Sequence, residues 1–227
     1  MFLTLAALNP PFRARTISLR KIVRESPPFS REGDAAPGDP LMRIIGGTYS
    51  GRALVAPKGR ETRPTADRVR EALFNILEHR EGFAFEGARV IDLFAGSGAL
   101  GLEAVSRGAA FCLFVETDAA ARGAIRDNVE ALSLFGVTRV HRRGADALGE
   151  KPAGVGGPFT LAFLDPPYGK DLCGPALTAL RNGGWLASGA LAVVEQGKNE
   201  TPVAVEGFAE EDRRIYGAAQ VGLFRFA

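Results

Sequence analysis

Four short strand-like runs, rich in apolar residues, alternate with helix-period segments between Val90 and Leu164, and no other feature narrows the possible folds as far. Val90–Phe94, Phe111–Val115, Val137–His141 and Phe159–Leu164 read as strands. Gly98–Arg107 and Asp118–Phe135 read as helices, stopped by Gly108 and Gly136. Strands with apolar residues on both faces must be covered on both. Strands of that kind, joined by helices, predict an α/β fold with a mostly parallel, Rossmann-like sheet. Leu191–Glu195 adds another strand, and Arg213–Tyr216 with Val221–Phe226, on either side of Gly217-Ala-Ala, read as a closing antiparallel pair. Residues 149–158 form a glycine-rich loop.

The chain before this region divides in two. Residues 1–41 carry Pro10-Pro11, Pro27-Pro28, Pro37 and Pro40, which break any regular element. They read as a disordered or non-native extension, with Met42 opening the domain proper. Arg13, Arg15, Arg20, Lys21 and Arg24, with no acid before Glu25, faintly resemble an organelle transit peptide. Residues 42–80 read as a small hairpin and a helix. The hairpin pairs Arg43-Ile-Ile-Gly46-Gly47 with Arg52-Ala-Leu-Val55, and the helix opens at Pro64 and Thr65, carries Val69, Leu73, Ile76 and Leu77 on one face, and closes at Gly82. Residues 81–227 are then the catalytic domain.

The net charge of +2 says little about partners, but its distribution is uneven. Seven basic residues (Arg43, Arg52, Lys58, Arg60, Arg63, Arg68 and Arg70) stand against Glu61 and Asp67 between Met42 and Arg70. Such a run is what a phosphate backbone attracts, and equally what a solvated basic surface carries. Two unpatterned cysteines, Cys112 and Cys173, make neither a disulfide framework nor a zinc site, so a reducing, cytoplasmic setting is expected. No apolar run reaches the 18 or so residues of a membrane span.

Gly96-Ser97-Gly98-Ala-Leu-Gly101 has the form G-x-G-x-x-G after a strand and at a helix start. Glycines there let backbone N–H groups and a helix N-terminus approach a nucleotide-like ligand. Glu116, ending the second strand, is placed to accept from two ribose hydroxyls. Both features suit a dinucleotide or S-adenosylmethionine. Asp92, inside the first strand, favours the latter, because a pyrophosphate would not welcome its charge. Asp146, just past the third strand, is placed to accept from an adenine amine. Loop bracing by Asp92 and helix capping by Asp146 stay open.

Asp165-Pro166-Pro167-Tyr168 follows the fourth strand directly. Asp-Pro-Pro before an aromatic arises by chance in roughly one chain in several hundred of this length, which disfavours a plain proline turn. An exocyclic amine on a nucleobase is a poor nucleophile because its lone pair is delocalised. Acceptors aimed at its N–H bonds favour the pyramidal, reactive form. Asp165 supplies one acceptor, and the Pro166 carbonyl, its backbone restrained by Pro166 and Pro167, supplies a second. Tyr168 offers a face on which an extruded base can stack. The two halves together point to methyl transfer from S-adenosylmethionine to a base nitrogen, with no metal required. His79 and His141 are isolated. A nicotinamide-dependent oxidoreductase would use the same glycine turn but leave Asp165-Pro-Pro-Tyr168 without a task. A non-catalytic RNA-binding module would leave both motifs without one.

These motifs, with Arg43-Ile-Ile-Gly-Gly47 and Arg63-Pro-Thr-Ala-Asp67-Arg-Val-Arg-Glu-Ala-Leu-Phe-Asn75, resemble the RsmD family of bacterial 16S rRNA guanine-N2 methyltransferases. The likeness runs from about Arg43 to the C-terminus. It implies a seven-stranded class I methyltransferase fold and S-adenosylmethionine as cofactor, held by Asp92, Phe94, Gly96, Ser97, Gly98, Gly101, Glu116 and Asp146. Asn75, in the signature helix, is carried over as a further cofactor candidate. The implied substrate is a guanine of 16S rRNA within the small ribosomal subunit, approached by Arg43, Arg52, Arg63, Thr65 and Arg68, and the implied state is a monomer. Methylation of another rRNA site or of DNA adenine is the nearer alternative.

Overall fold

The computed structural model describes residues 42–57 and 64–227, with side chains from Arg68 onward in the second stretch. The expectations for residues 1–41, for Lys58, Arg60 and Arg63, and for the Thr65 side chain lie outside the described residues. Helix α1 (Pro64–Glu78) precedes an alternating series: β1 (Arg89–Leu93), α2 (Ala99–Ser106), β2 (Phe111–Val115), α3 (Ala119–Ala131), β3 (Thr138–His141), β4 (Phe159–Leu164), α4 (Cys173–Asn182), β5 (Leu186–Gly197), β6 (Phe208–Tyr216) and β7 (Ala219–Phe226). The strands form one sheet in the order β3-β2-β1-β4-β5-β7-β6. β1 to β5 pair in parallel, and β7 inserts antiparallel between β5 and β6. This is the mostly parallel seven-stranded sheet expected from the sequence.

Alternation along the buried strands sends neighbouring side chains to opposite faces. Val90, Cys112, Phe114, Leu161 and Phe163 pack with Leu102 of α2, Ile125 of α3 and Leu73, Phe74 and Leu77 of α1. Ile91, Leu93, Leu113 and Ala162 pack with Leu177 and Leu180 of α4. Trp185, the single tryptophan, has 0% exposure just before β5; its indole N–H donates to the Gly149 carbonyl at 2.8 Å and its ring stacks on Phe159.

Several boundaries differ from the sequence reading. β5 begins at Leu186, five residues before the expected Leu191, because Gly189 (φ 77°) sits within the strand where its pairing with β4 shifts register, rather than ending it. β6 begins at Phe208 instead of Arg213; it is an edge strand with mostly exposed or half-buried side chains, so most of it lacks an apolar signal. α3 stops at Ala131 because Ser133 (φ 57°) turns the chain before Gly136 is reached. The expected N-terminal hairpin reduces to a single bridge, Arg43 to Ala53. Backbone bonds from Ile44 N–H to the Arg52 carbonyl and from Leu54 N–H to the Met42 carbonyl flank it, and other donors go to side chains of the main fold. Ile45 and Gly46 N–H donate to the Glu103 carboxylate at 2.7 and 2.8 Å, and Val55 N–H donates to Asn128 Oδ1 at 2.7 Å. Ile44 and Leu54 lie in the same cluster as α1 and the sheet, so this segment shares the core of the catalytic region.

Candidate active site

Register places the candidate residues in one row. His141, Val115, Leu93, Leu164 and Val194 are partners in succession across β3, β2, β1, β4 and β5. The residues that follow three of these positions are therefore Glu116, Phe94 and Asp165, at the C-terminal edge of the parallel strands. Ligands of open α/β sheets bind outside that edge.

The chain leaves β1 through Phe94 (φ 62°), a conformation uncommon for a residue with a Cβ, and then Gly96 (φ 57°) and Gly98 (φ 81°). Strain of this kind persists only where its surroundings enforce it, and it concentrates at functional sites. Two carboxylates hold the turn. Glu116 Oε2 accepts from Gly96 N–H at 2.9 Å and its Oε1 from Asp118 N–H at 2.8 Å. Asp92 Oδ2 accepts from Gly101 N–H at 3.0 Å. Burial pushes the Asp92 carboxyl up to about 8; the Gly101 donor opposes this, and the charges of Asp165 and Glu116 reinforce it. Loop bracing by Asp92 is thus realised in the structure.

The glycines divide by task. A Cβ on Gly101 would stand 2.4 Å from Phe114 and 2.5 Å from the Cys112 sulfur, so this glycine lets α2 lie against β2. Gly98 heads α2 without a side-chain cap. Ser97 is buried, its hydroxyl donating to the Met42 sulfur and its carbonyl accepting from the Asn128 amide at 3.0 Å. Asp146 is exposed just beyond β3 and caps no helix. The glycine turn, with carboxylates under and beside it, fits a ligand that carries hydroxyls and a cationic end.

At the end of β4, Asp165 is exposed, Pro166 buried and Pro167 exposed. The Tyr168 ring is 46% exposed, and its hydroxyl donates to Glu195 Oε1 at the end of β5. Gly169 N–H donates to Glu200. Burial, the Glu195 contact and the charges of Asp165 and Glu200 push the Tyr168 hydroxyl far above its ordinary range. Burial likewise lifts Cys173 to about 12, with Glu200, Asp165 and Asp171 adding to it, which removes a thiolate nucleophile at neutral pH.

Asn75 stands elsewhere. It lines an open groove of about 480 Å³ with Ile76, His79, Arg80, Arg214 and Tyr216, between α1 and β6, and no glycine-turn residue borders that groove. Arg43, Arg52 and Arg68 are exposed and form no ion pair among the described residues. Sequence reading missed Glu103, Asn128 and Glu195. The first two act on backbone more than 50 residues away, and nothing local marks them. Glu195 had a signal, since it follows an apolar strand just as Glu116 and Asp165 do.

The profile of a family described as conserved hypothetical protein 95 matches residues 42–225. The chain belongs to this family. It is the one that the RsmD-like motifs indicate. Among its relatives is "Ribosomal RNA small subunit methyltransferase D" of Escherichia coli K12, 35% identical over 189 residues, covering 83% of this chain and 91% of that protein. A solved structure of a hypothetical protein from Thermus thermophilus is 33% identical with a TM-score of 0.66, covering 81% of this chain and 98% of that one. The magnesium protoporphyrin IX methyltransferase of Synechocystis, solved with bound S-adenosylmethionine, has a TM-score of 0.53 over 72% of this chain and 80% of its own. At 14% identity it shows a shared fold alone.

Proposed function

We propose that this chain transfers a methyl group from S-adenosylmethionine to the exocyclic N2 amine of a guanine in 16S rRNA, acting in the cytoplasm as a monomer on the small ribosomal subunit. One observation carries the reading: Leu93 pairs with Leu164, so the glycine turn and Asp165-Pro-Pro-Tyr168 leave adjacent strands at the same edge. Membership of a family with an rRNA small subunit methyltransferase among its relatives supports it further.

The cofactor supplies a methyl group made electrophilic by the sulfonium centre. Residues in and around the turn hold and orient it: Gly96, Ser97 and Gly98 by letting it approach their backbone, Glu116 by accepting from ribose hydroxyls, Asp92 by bracing the turn through Gly101, and Asp146 by accepting from the adenine amine. Asp165 and the Pro166 carbonyl accept from the two N–H bonds of the target amine and favour its nucleophilic geometry, which is stabilisation specific to the transition state. Tyr168 presents its face to the base, a contact of roughly 1–3 kcal/mol. Asp165, exposed at the edge, takes the proton that the amine must lose and passes it to water. Arg43, Arg52, Arg63, Thr65 and Arg68 contact the RNA backbone.

The direct test is transfer of labelled methyl to unmethylated small subunits, followed by nucleoside analysis. Label in N2-methylguanosine at one 16S position is the expected result. Cofactor binding without transfer to that particle would move the substrate to another RNA or to DNA.

A further inference from the structure

One carboxylate at the catalytic edge has no role in the reaction described above. Leu164 pairs with Val194, so Asp165 and Glu195 are the next residues on neighbouring parallel strands, whose axes lie about 5 Å apart. Tyr168 ties them together. Its hydroxyl donates to Glu195 Oε1, and it feels the charge of both Glu195 and Asp165. Among the described residues no lysine or arginine pairs with Glu195, and its Oε2 accepts no hydrogen bond. The carboxylate is therefore fixed in orientation at one oxygen and open at the other, beside the residue that receives the target amine.

An ionised carboxylate only accepts hydrogen bonds. The nucleobases differ in what flanks their amine. Guanine carries an N1–H donor next to its N2 amine. Adenine has a bare N1 lone pair next to N6, and cytosine a bare N3 lone pair next to N4. A site built around a hydrogen bond rejects a ligand that leaves its polar group unpaired, and lone pair against carboxylate is repulsive as well. We propose that Glu195 reads the base, accepting the N1–H of guanine through Oε2 while Tyr168 holds Oε1, and so selects guanine over other amine-bearing bases. The inference rests on the reading of this edge as an amino-methyltransferase site.

The test uses a base that keeps the N2 amine and lacks the N1–H. Small subunits assembled on ligated 16S rRNA carrying either guanine or 2-aminopurine at the target position are methylated by the full-length chain and by Glu195→Gln. Wild type should prefer guanine by roughly 10–100-fold in kcat/KM, the range of one hydrogen bond to a charged group. Glu195→Gln, whose amide can donate to the N1 lone pair, should shrink that preference at least tenfold. S-adenosylhomocysteine affinity, unchanged within about twofold, should report an intact cofactor site. Equal transfer from wild type to both bases overturns the proposal without any variant. So does a Gln variant slowed by the same factor on each, because a purely structural role has no reason to distinguish them. Absence of wild-type transfer to guanine overturns the parent reading, whereas transfer with an unchanged base ratio overturns this one alone.

Discussion

Asp165 and Asp92 are both carboxylates at the end of a buried sheet, yet their surroundings give them opposite behaviour. Asp165 is exposed, and Asp165→Ala should lower methyl transfer by roughly 100–1,000-fold, the usual consequence of removing a transition-state acceptor. S-adenosylhomocysteine affinity, read by calorimetry, should stay within about twofold. Asp92 is buried, and its folded value of about 8 lies above the ordinary 3.8. Between those values the unfolded chain is ionised at this position while the folded chain keeps its proton. The associated stability is thus complete below about pH 4 and is lost as pH rises to about 8. The ligand-free chain should melt at progressively lower temperature across that window, and Asp92→Asn, which can still accept from Gly101, should remove this part of the slope. Thermal melts at several pH values compare the two. The motif carboxylates could be read from sequence because their neighbours in the chain define them: a strand before, a turn after. Asn75 is carried over on the family likeness alone, and its place in the groove beside Arg214 and Tyr216 depends on residues far away in the chain.

The segment 42–55 shows how one element is secured by another. Its short antiparallel contact is too small to stand alone, and further backbone bonds tie it to α2 and α3. Glu103, with 0% exposure, takes two N–H groups of this segment and also binds Arg107 Nε at 2.9 Å. Glu103→Ala leaves those part-buried donors unpaired and should cost about 2–4 kcal/mol in denaturant-unfolding free energy. Gly47→Ala should be at least as damaging, since φ is 78° and the new Cβ would sit 2.0 Å from the Ser106 carbonyl oxygen. Asn128 links the segment to the glycine turn by holding Val55 and Ser97 together. Sequence periodicity found α1 to α3 and β1 to β4, whose signal is burial, but gave no bounds for α4. It lost most of β6, where an edge strand exposes both faces, and shortened β5, where a glycine reads as a stop but serves as an irregularity within the strand.

At the scale of the whole molecule, the basic side chains sort by partnership. Arg80, Arg107, Arg181, Arg213, Arg214 and Arg225 each pair with an acid. Arg43, Arg52 and Arg68 pair with none among the described residues, which leaves them available to phosphate. Replacing any one of the three with alanine should weaken binding to small subunits about equally for all target bases. It should also lower the slope of log affinity against log salt by about one. Filter binding at several salt concentrations measures both. A helix long and apolar enough to cross a membrane is absent among the described residues. Trp185 has a practical consequence at this scale. Its indole lies fully buried just before β5, its ring centroid 6.2 Å from that of His141 at the end of β3. Its fluorescence should therefore shift to longer wavelength when the fold melts, giving an unlabelled optical gauge of unfolding.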